Sequence, residues 1–121
     1  MFLKVSVLGT EYEVFRKNYA DDLYFEQKSF TAYCGMAEKK IVLCNLKTHP
    51  SFKDDTEATC AKIEKSILRH EIIHAFLYES GLNSSSGRIT DMGWAENEEM
   101  VDWFAIQAPK LIAAFTAADA L

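Results

Sequence analysis

The stretch of this chain best equipped for chemistry is His70-Glu71-Ile72-Ile73-His74. On a helix, residues four apart share one face, about one turn from each other. Two imidazoles placed in this way can grip one metal ion. Glu71 follows the first histidine and lies to the side of that axis. Its carboxylate is set to reach a water on the ion rather than the ion itself. This is the division of labour in H-E-x-x-H zinc hydrolases: zinc lowers the pKa of a water, and the glutamate takes the proton and hands it to the leaving amine. The pattern alone arises by chance in roughly 1% of chains this long, so its setting matters more than its letters. Ile63, Ile67, His70, His74 and Leu77 advance by four, three, four and three, forming one helical stripe. A lone histidine on such a stripe reads best as a core residue satisfied by hydrogen bonds. Two at this spacing, with the glutamate between them, read best as metal ligands.

Two histidines leave a catalytic site one protein ligand short, since three are expected with a fourth position open to water. His49 precedes a proline in a predicted loop. The acidic cluster Glu96-Asn97-Glu98-Glu99, with Asp102 beyond it, is the better source. Glu98 and Asp102 are four apart. Glu98 is expected to bind the metal, and Asp102 to accept the free N–H of a ligand histidine and fix its orientation. Glu99, about a quarter turn away, is the rival ligand. Glu96 reads as an acidic residue favoured by the positive end of a helix.

These residues need two helices to carry them. The first is predicted from about Asp54, with Asp54, Asp55 and Thr56 as capping residues, to Ser80-Gly81, where glycine ends it. A polar loop, Asn83-Ser84-Ser85-Ser86-Gly87, follows. The second helix is predicted from Ala95 or Glu96 to Gln107. Pro109 is expected to kink or end it, with Lys110 to Ala118 as a further helical piece. The first third of the chain reads as strands. Phe2 to Leu8 and Tyr12 to Phe15 flank a turn at Gly9-Thr10. Phe30 to Cys34 and Lys40 to Leu46 flank Gly35-Met36-Ala37-Glu38. Residues 18–29 are ambiguous, with Asp21-Asp22 as a turn or helix start. His49-Pro50 closes the strand region. The expected architecture is α+β: one domain over residues 1–121, a small antiparallel sheet packed on two main helices.

Composition excludes several classes. At 121 residues the chain suffices for a single packed core. Its formal net charge is −5, and no Lys/Arg cluster advertises nucleic-acid binding. No apolar run approaches the length of a membrane span, and the N-terminus is too short and strand-like for a signal peptide. The expectation is a cytoplasmic protein. Cys34, Cys44 and Cys60 are odd in number and lack C-x-x-C spacing, so they read as buried thiols rather than disulfides or metal ligands.

His70-Glu71-Ile72-Ile73-His74 with Asn97-Glu98-Glu99-Met100-Val101-Asp102 resembles the H-E-x-x-H plus N-E-x-x-x-D arrangement of the gluzincin metallopeptidases. It is most similar to their minimal members, the ImmA/IrrE-like proteins and related small phage or prophage proteins, and most clearly so over residues 60–111. The resemblance implies a zincin-like catalytic domain and a zinc ion held by His70, His74 and Glu98. It also implies that Asp102 supports a histidine and that Glu71 is the general base. The implied activity is hydrolysis of a peptide bond in a protein or peptide substrate, such as a regulator in a mobile element's circuit. In zincin-like sites the substrate lies along an edge strand, for which Lys40 to Leu46 is the candidate. The alternative is a non-enzymatic zinc module in which the ion pins two helices together. An open coordination position separates the first reading from the second.

Overall fold

The computed structural model describes residues 1–83 and 93–121. The predicted polar loop, apart from Asn83, lies outside the described residues. Among these residues the fold is α+β, with a four-stranded sheet and three helices, two of them long. Strands β1 (Leu3–Val7) and β2 (Thr10–Lys17) form an antiparallel hairpin. Its turn is Leu8-Gly9, one residue earlier than expected, and both residues have positive φ (50° and 85°). Such a two-residue turn matches the right-handed twist of the strands, but only glycine adopts it without strain.

The ambiguous segment 18–29 contains a short helix, α1 (Leu23–Lys28). Asp22 caps it by accepting the Tyr24 N–H, and it also accepts the Tyr33 hydroxyl at 2.6 Å. Burial alone would raise the Asp22 pKa. These two hydrogen bonds and the nearby Lys17 ammonium outweigh burial and hold the carboxyl below its ordinary value.

Strands β3 (Ala32–Gly35) and β4 (Lys40–Cys44) form the second hairpin. The sheet order is β1-β2-β4-β3. The two hairpins are antiparallel as expected, but β4 joins β2 in parallel, so the sheet is mixed. Lys40 to Cys44 is therefore an interior strand and cannot be the edge expected from sequence. Ile41, Val42, Leu43 and Cys44 are all buried, because the strand is covered on both faces. Among the described residues the sheet's two edges are β1 and β3.

Alternation along the strands divides the core. Val7, Tyr12, Val14, Ile41 and Leu43 form one face with Ala75 of the long helix α2 (Glu57–Glu79). Val42 and Cys44 form the other with Phe25 of α1. Cys34 packs on the α2 face and Cys44 on the α1 face. The two thiols thus stand on opposite sides of the sheet, and no shared thiolate site exists between them. Burial pushes Cys34 up to about 12 and Cys44 up to about 11. Among the described residues, no helix is long and apolar enough to cross a membrane.

Helix α2 begins as expected: Thr56 accepts the Thr59 N–H. Gly81, at φ 85°, follows its end and donates to the Tyr78 carbonyl. Glu79 then ties this end to the sheet, accepting hydrogen bonds from Tyr12 (2.7 Å) and Thr10 and pairing with Lys39.

The last helix, α3, runs Glu98–Ala117 after a 3-10 turn at Trp94–Glu96. The Asn97 side chain caps it by accepting the Met100 N–H at 2.9 Å. Leu77 of α2 packs with Ala95 and Val101. Pro109 neither ends the helix nor divides it. A proline at 109 has no N–H for the carbonyl of residue 105. Arg69 Nε of α2 supplies the missing donor to Ala105 O. The continuity of α3 is thus supported from the neighbouring helix.

Candidate metal centre

Helix α2 sets the two histidines one turn apart, with Nε2 atoms 3.0 Å from each other. The cap at Asn97 makes Glu98 the first residue of α3, and Val101 against Leu77 holds this end of α3 on α2. The Glu98 carboxylate then meets both imidazoles. Oε2 lies 3.0 Å from His70 Nε2, and Oε1 lies 3.0 Å from His74 Nε2. One turn along α3, Asp102 Oδ1 accepts the His70 Nδ1–H at 2.7 Å. The structure thus brings together His70, His74, Glu98 and Asp102. Glu99 is exposed and adds no atom to the group.

The chemistry of this donor set fits a cation. With its Nδ1 facing the Asp102 carboxylate, the neutral form of the His70 ring donates from Nδ1 and presents a lone pair at Nε2. That lone pair faces a carboxylate oxygen and a second imidazole nitrogen, both at 3.0 Å. Burial, working against the nearby Glu98 carboxylate, lowers the pKa of His74, which favours the neutral ligand form. The two Nε2 atoms and the Glu98 carboxylate thus converge on one point, as the donors of a single cation would. A tetrahedral zinc site with bonds of about 2.0–2.1 Å spaces its ligand atoms about 3.3 Å apart, close to what these atoms show. The donors, two imidazoles and a carboxylate, are also a familiar zinc set.

Glu71 is only 8% exposed, although it is a carboxyl. Burial raises its pKa to about 7; His70 opposes the shift and Glu98 adds to it. No ion pair among the described residues compensates for that burial. Glu71, both histidines, Glu98 and Asp102 line a cleft of about 620 Å³. Its opposite wall is the segment 29–34, which includes most of the β3 edge, and Ile67 and Ile106 complete its apolar side.

The site residues expected from sequence therefore meet in space. What sequence reasoning missed is the wall facing them. β3 reads as the outer half of an ordinary hairpin until the parallel β2–β4 pairing makes it the edge. Arg69 was also overlooked. The proline at 109 signals an orphan carbonyl at 105, but its partner is 36 residues away.

Compared with protein-family models, curated proteins and solved structures, the chain matches none of them.

Proposed function

We propose that the protein is a zinc-dependent metallopeptidase acting on a peptide bond in a protein or peptide substrate, in a cytoplasmic setting. His70, His74 and Glu98 would hold the metal, with Asp102 orienting His70. When bound, zinc supplies Lewis acidity toward a water and toward a substrate carbonyl.

The observation that carries this reading is Glu71. A buried carboxyl beside the three ligands, with a pKa near neutrality, is costly for the fold. It suits a group that must accept a proton and release it at neutral pH. Its place in the cleft wall lets it take a proton from an attacking water and carry it to the departing amine. Asp102 holds the His70 ring so that Nε2 stays aimed at the ligand position. The free edge of β3 offers main-chain groups to an extended peptide lying across the cleft. The openness of this cleft favours the enzyme over a purely structural zinc module, whose ligands would close around the ion.

The test compares Glu71→Gln with His74→Ala. Glu71→Gln should keep the fold and about one zinc per chain, while cleavage of peptide libraries or of the natural substrate falls by on the order of 10²- to 10⁴-fold. His74→Ala should lose both metal and activity. If Glu71→Gln behaves as wild type in an assay that His74→Ala fails, the ion serves only to shape the protein.

A further inference from the structure

We propose that His49 is an acid-operated latch joining the turn after β2 to the connector between β4 and α2, closed while its ring is neutral and opened when the ring takes up a proton. The metal centre makes no use of this histidine, and the latch is independent of the proposed activity. His49 is only 5% exposed. Its ring lies against Tyr19, in the 3-10 turn Tyr19–Asp21, and against Phe52 of the connector, with ring centres 4.9 and 5.2 Å away. The Tyr19 N–H donates to Thr48 Oγ1 and the Asn45 N–H to the Lys17 carbonyl, so the two segments meet around the ring. The His49 carbonyl accepts the N–H groups of Phe52 and Lys53, closing the turn that leads toward the Thr56 cap of α2.

The hydrogen bonds fix the protonation state this arrangement accepts. The Ser51 N–H donates to His49 Nδ1 at 3.0 Å, so the neutral ring carries its proton on Nε2. Among the described residues, Nε2 is the one buried side-chain polar atom without a hydrogen-bond partner. The closed latch is thus under-satisfied even when neutral. A second proton would go onto Nδ1, where the Ser51 N–H already points. Two donors would then face each other, and a buried charge would have no acceptor at either nitrogen. Turning the ring out to water relieves both, at the expense of the contacts with Tyr19 and Phe52.

No neighbouring charge rescues the protonated ring. Burial alone lowers the His49 pKa. Of the titratable groups nearby, Tyr19 meets the ring as an aromatic. Lys47 is tied to the carbonyls of Lys53 and Asp55. Cys60 of α2 donates to the Phe52 carbonyl, and Cys44 of β4 to that of Asn45. A histidine with a lowered folded pKa stabilises the closed form fully above its ordinary value of about 6.5, and this stabilisation is lost as pH falls below it.

The test is residue-resolved amide hydrogen exchange on the full chain, corrected for intrinsic rates. Opening at Ser51, Phe52 and Lys53 should become up to ~30-fold more frequent between about pH 7.5 and about pH 5, the factor for a histidine that protonates only when open. His49→Asn sets an amide oxygen near the place of Nδ1 for the Ser51 N–H, and His49→Phe keeps a ring between Tyr19 and Phe52. Neither titrates, so both should lose the pH dependence, while the metal ligands, unchanged in all three proteins, contribute equally. Exchange in wild type that does not respond to pH overturns the proposal, and so does a response that persists in either variant. Should both variants misfold, NMR titration of the wild-type ring decides: a His49 pKa at or above the ordinary value means that the closed form accepts the charge and that there is no latch.

Discussion

Pro109 and Arg69 are expected to be energetically coupled, and a double-mutant cycle measures the coupling. The Ala105 carbonyl sits in a residue that is 1% exposed and has no i+4 N–H to accept, so Arg69 Nε is its donor. Arg69→Ala removes a charge-assisted hydrogen bond and leaves a buried acceptor unpaired, which costs about 1.5–3 kcal/mol. Arg69 is half-buried, so the lower half of that range, about 2 kcal/mol, is the working figure. Pro109→Ala restores a backbone N–H at the right place in the helix. Alone it should be neutral or stabilising, since proline is a poor interior helix residue. In that background Arg69→Ala should cost no more than about 0.5 kcal/mol, leaving a coupling energy of about 1.5 kcal/mol. Urea denaturation of the four proteins, metal-free, reads the cycle directly. The same substitutions should appear in zinc titrations, because Glu98 and Asp102 ride on α3. Arg69→Ala should weaken zinc binding several-fold when Pro109 is present and little when it is combined with Pro109→Ala. Equal costs of Arg69→Ala in the two backgrounds would refute the reasoning and leave Arg69 an ordinary packing residue.

Three further outcomes are expected. Glu98→Ala should lose most of the bound zinc and Glu99→Ala should retain it, while Asp102→Ala weakens affinity ~10- to 100-fold; metal analysis after dialysis decides among them, and loss of zinc in Glu99→Ala alone would mean a rotated helix. Asp22 has a folded pKa below its unfolded one, so its contribution is full above the ordinary aspartate range and is lost as pH falls through the folded value. Asp22→Asn should therefore cost on the order of 1–2 kcal/mol at pH 7 and almost nothing near pH 2, which thermal melts across that range would check. Leu8 sits at φ 50° and is 61% exposed, so Leu8→Gly should relieve turn strain with little loss of packing. A stabilisation of about 1 kcal/mol in denaturant melts is expected, and destabilisation would mean that the Leu8 side chain packs more than its exposure implies.

The sequence was most informative where one helix carries its own spacing. His70, Glu71 and His74 lie on α2, so helical geometry alone relates them. Glu98 and Asp102 were readable as partners because they too stand one turn apart, and the ligand set was one residue short. The fold class was legible from the change between strand-like and helical patterning near Asp54. The parallel joining of β4 to β2 was not, since a hairpin sequence states which strands are neighbours in the chain and says nothing about which strand a hairpin presents to the rest of the sheet. That is why Lys40 to Leu46 reads as an edge from sequence, although the unbroken apolar run Ile41-Val42-Leu43-Cys44 is what an interior strand carries. The course of α3 through Pro109 was illegible for a related reason. Local rules end or kink a helix there, and the side chain that overrides them comes from α2.

The edge strand beside the cleft is only four residues long, from Ala32 to Gly35. A strand edge open to a substrate is equally open to any other extended chain, including the edges of misfolded copies. Brevity limits both. On the proposed reading, a peptide lying there would gain little from backbone pairing and would obtain most of its affinity from side chains and from the metal. The same shortness keeps the edge from seeding aggregation. Lengthening β3 by substitution would therefore be expected to loosen selectivity and lower solubility together, so that the two properties are traded through a single strand.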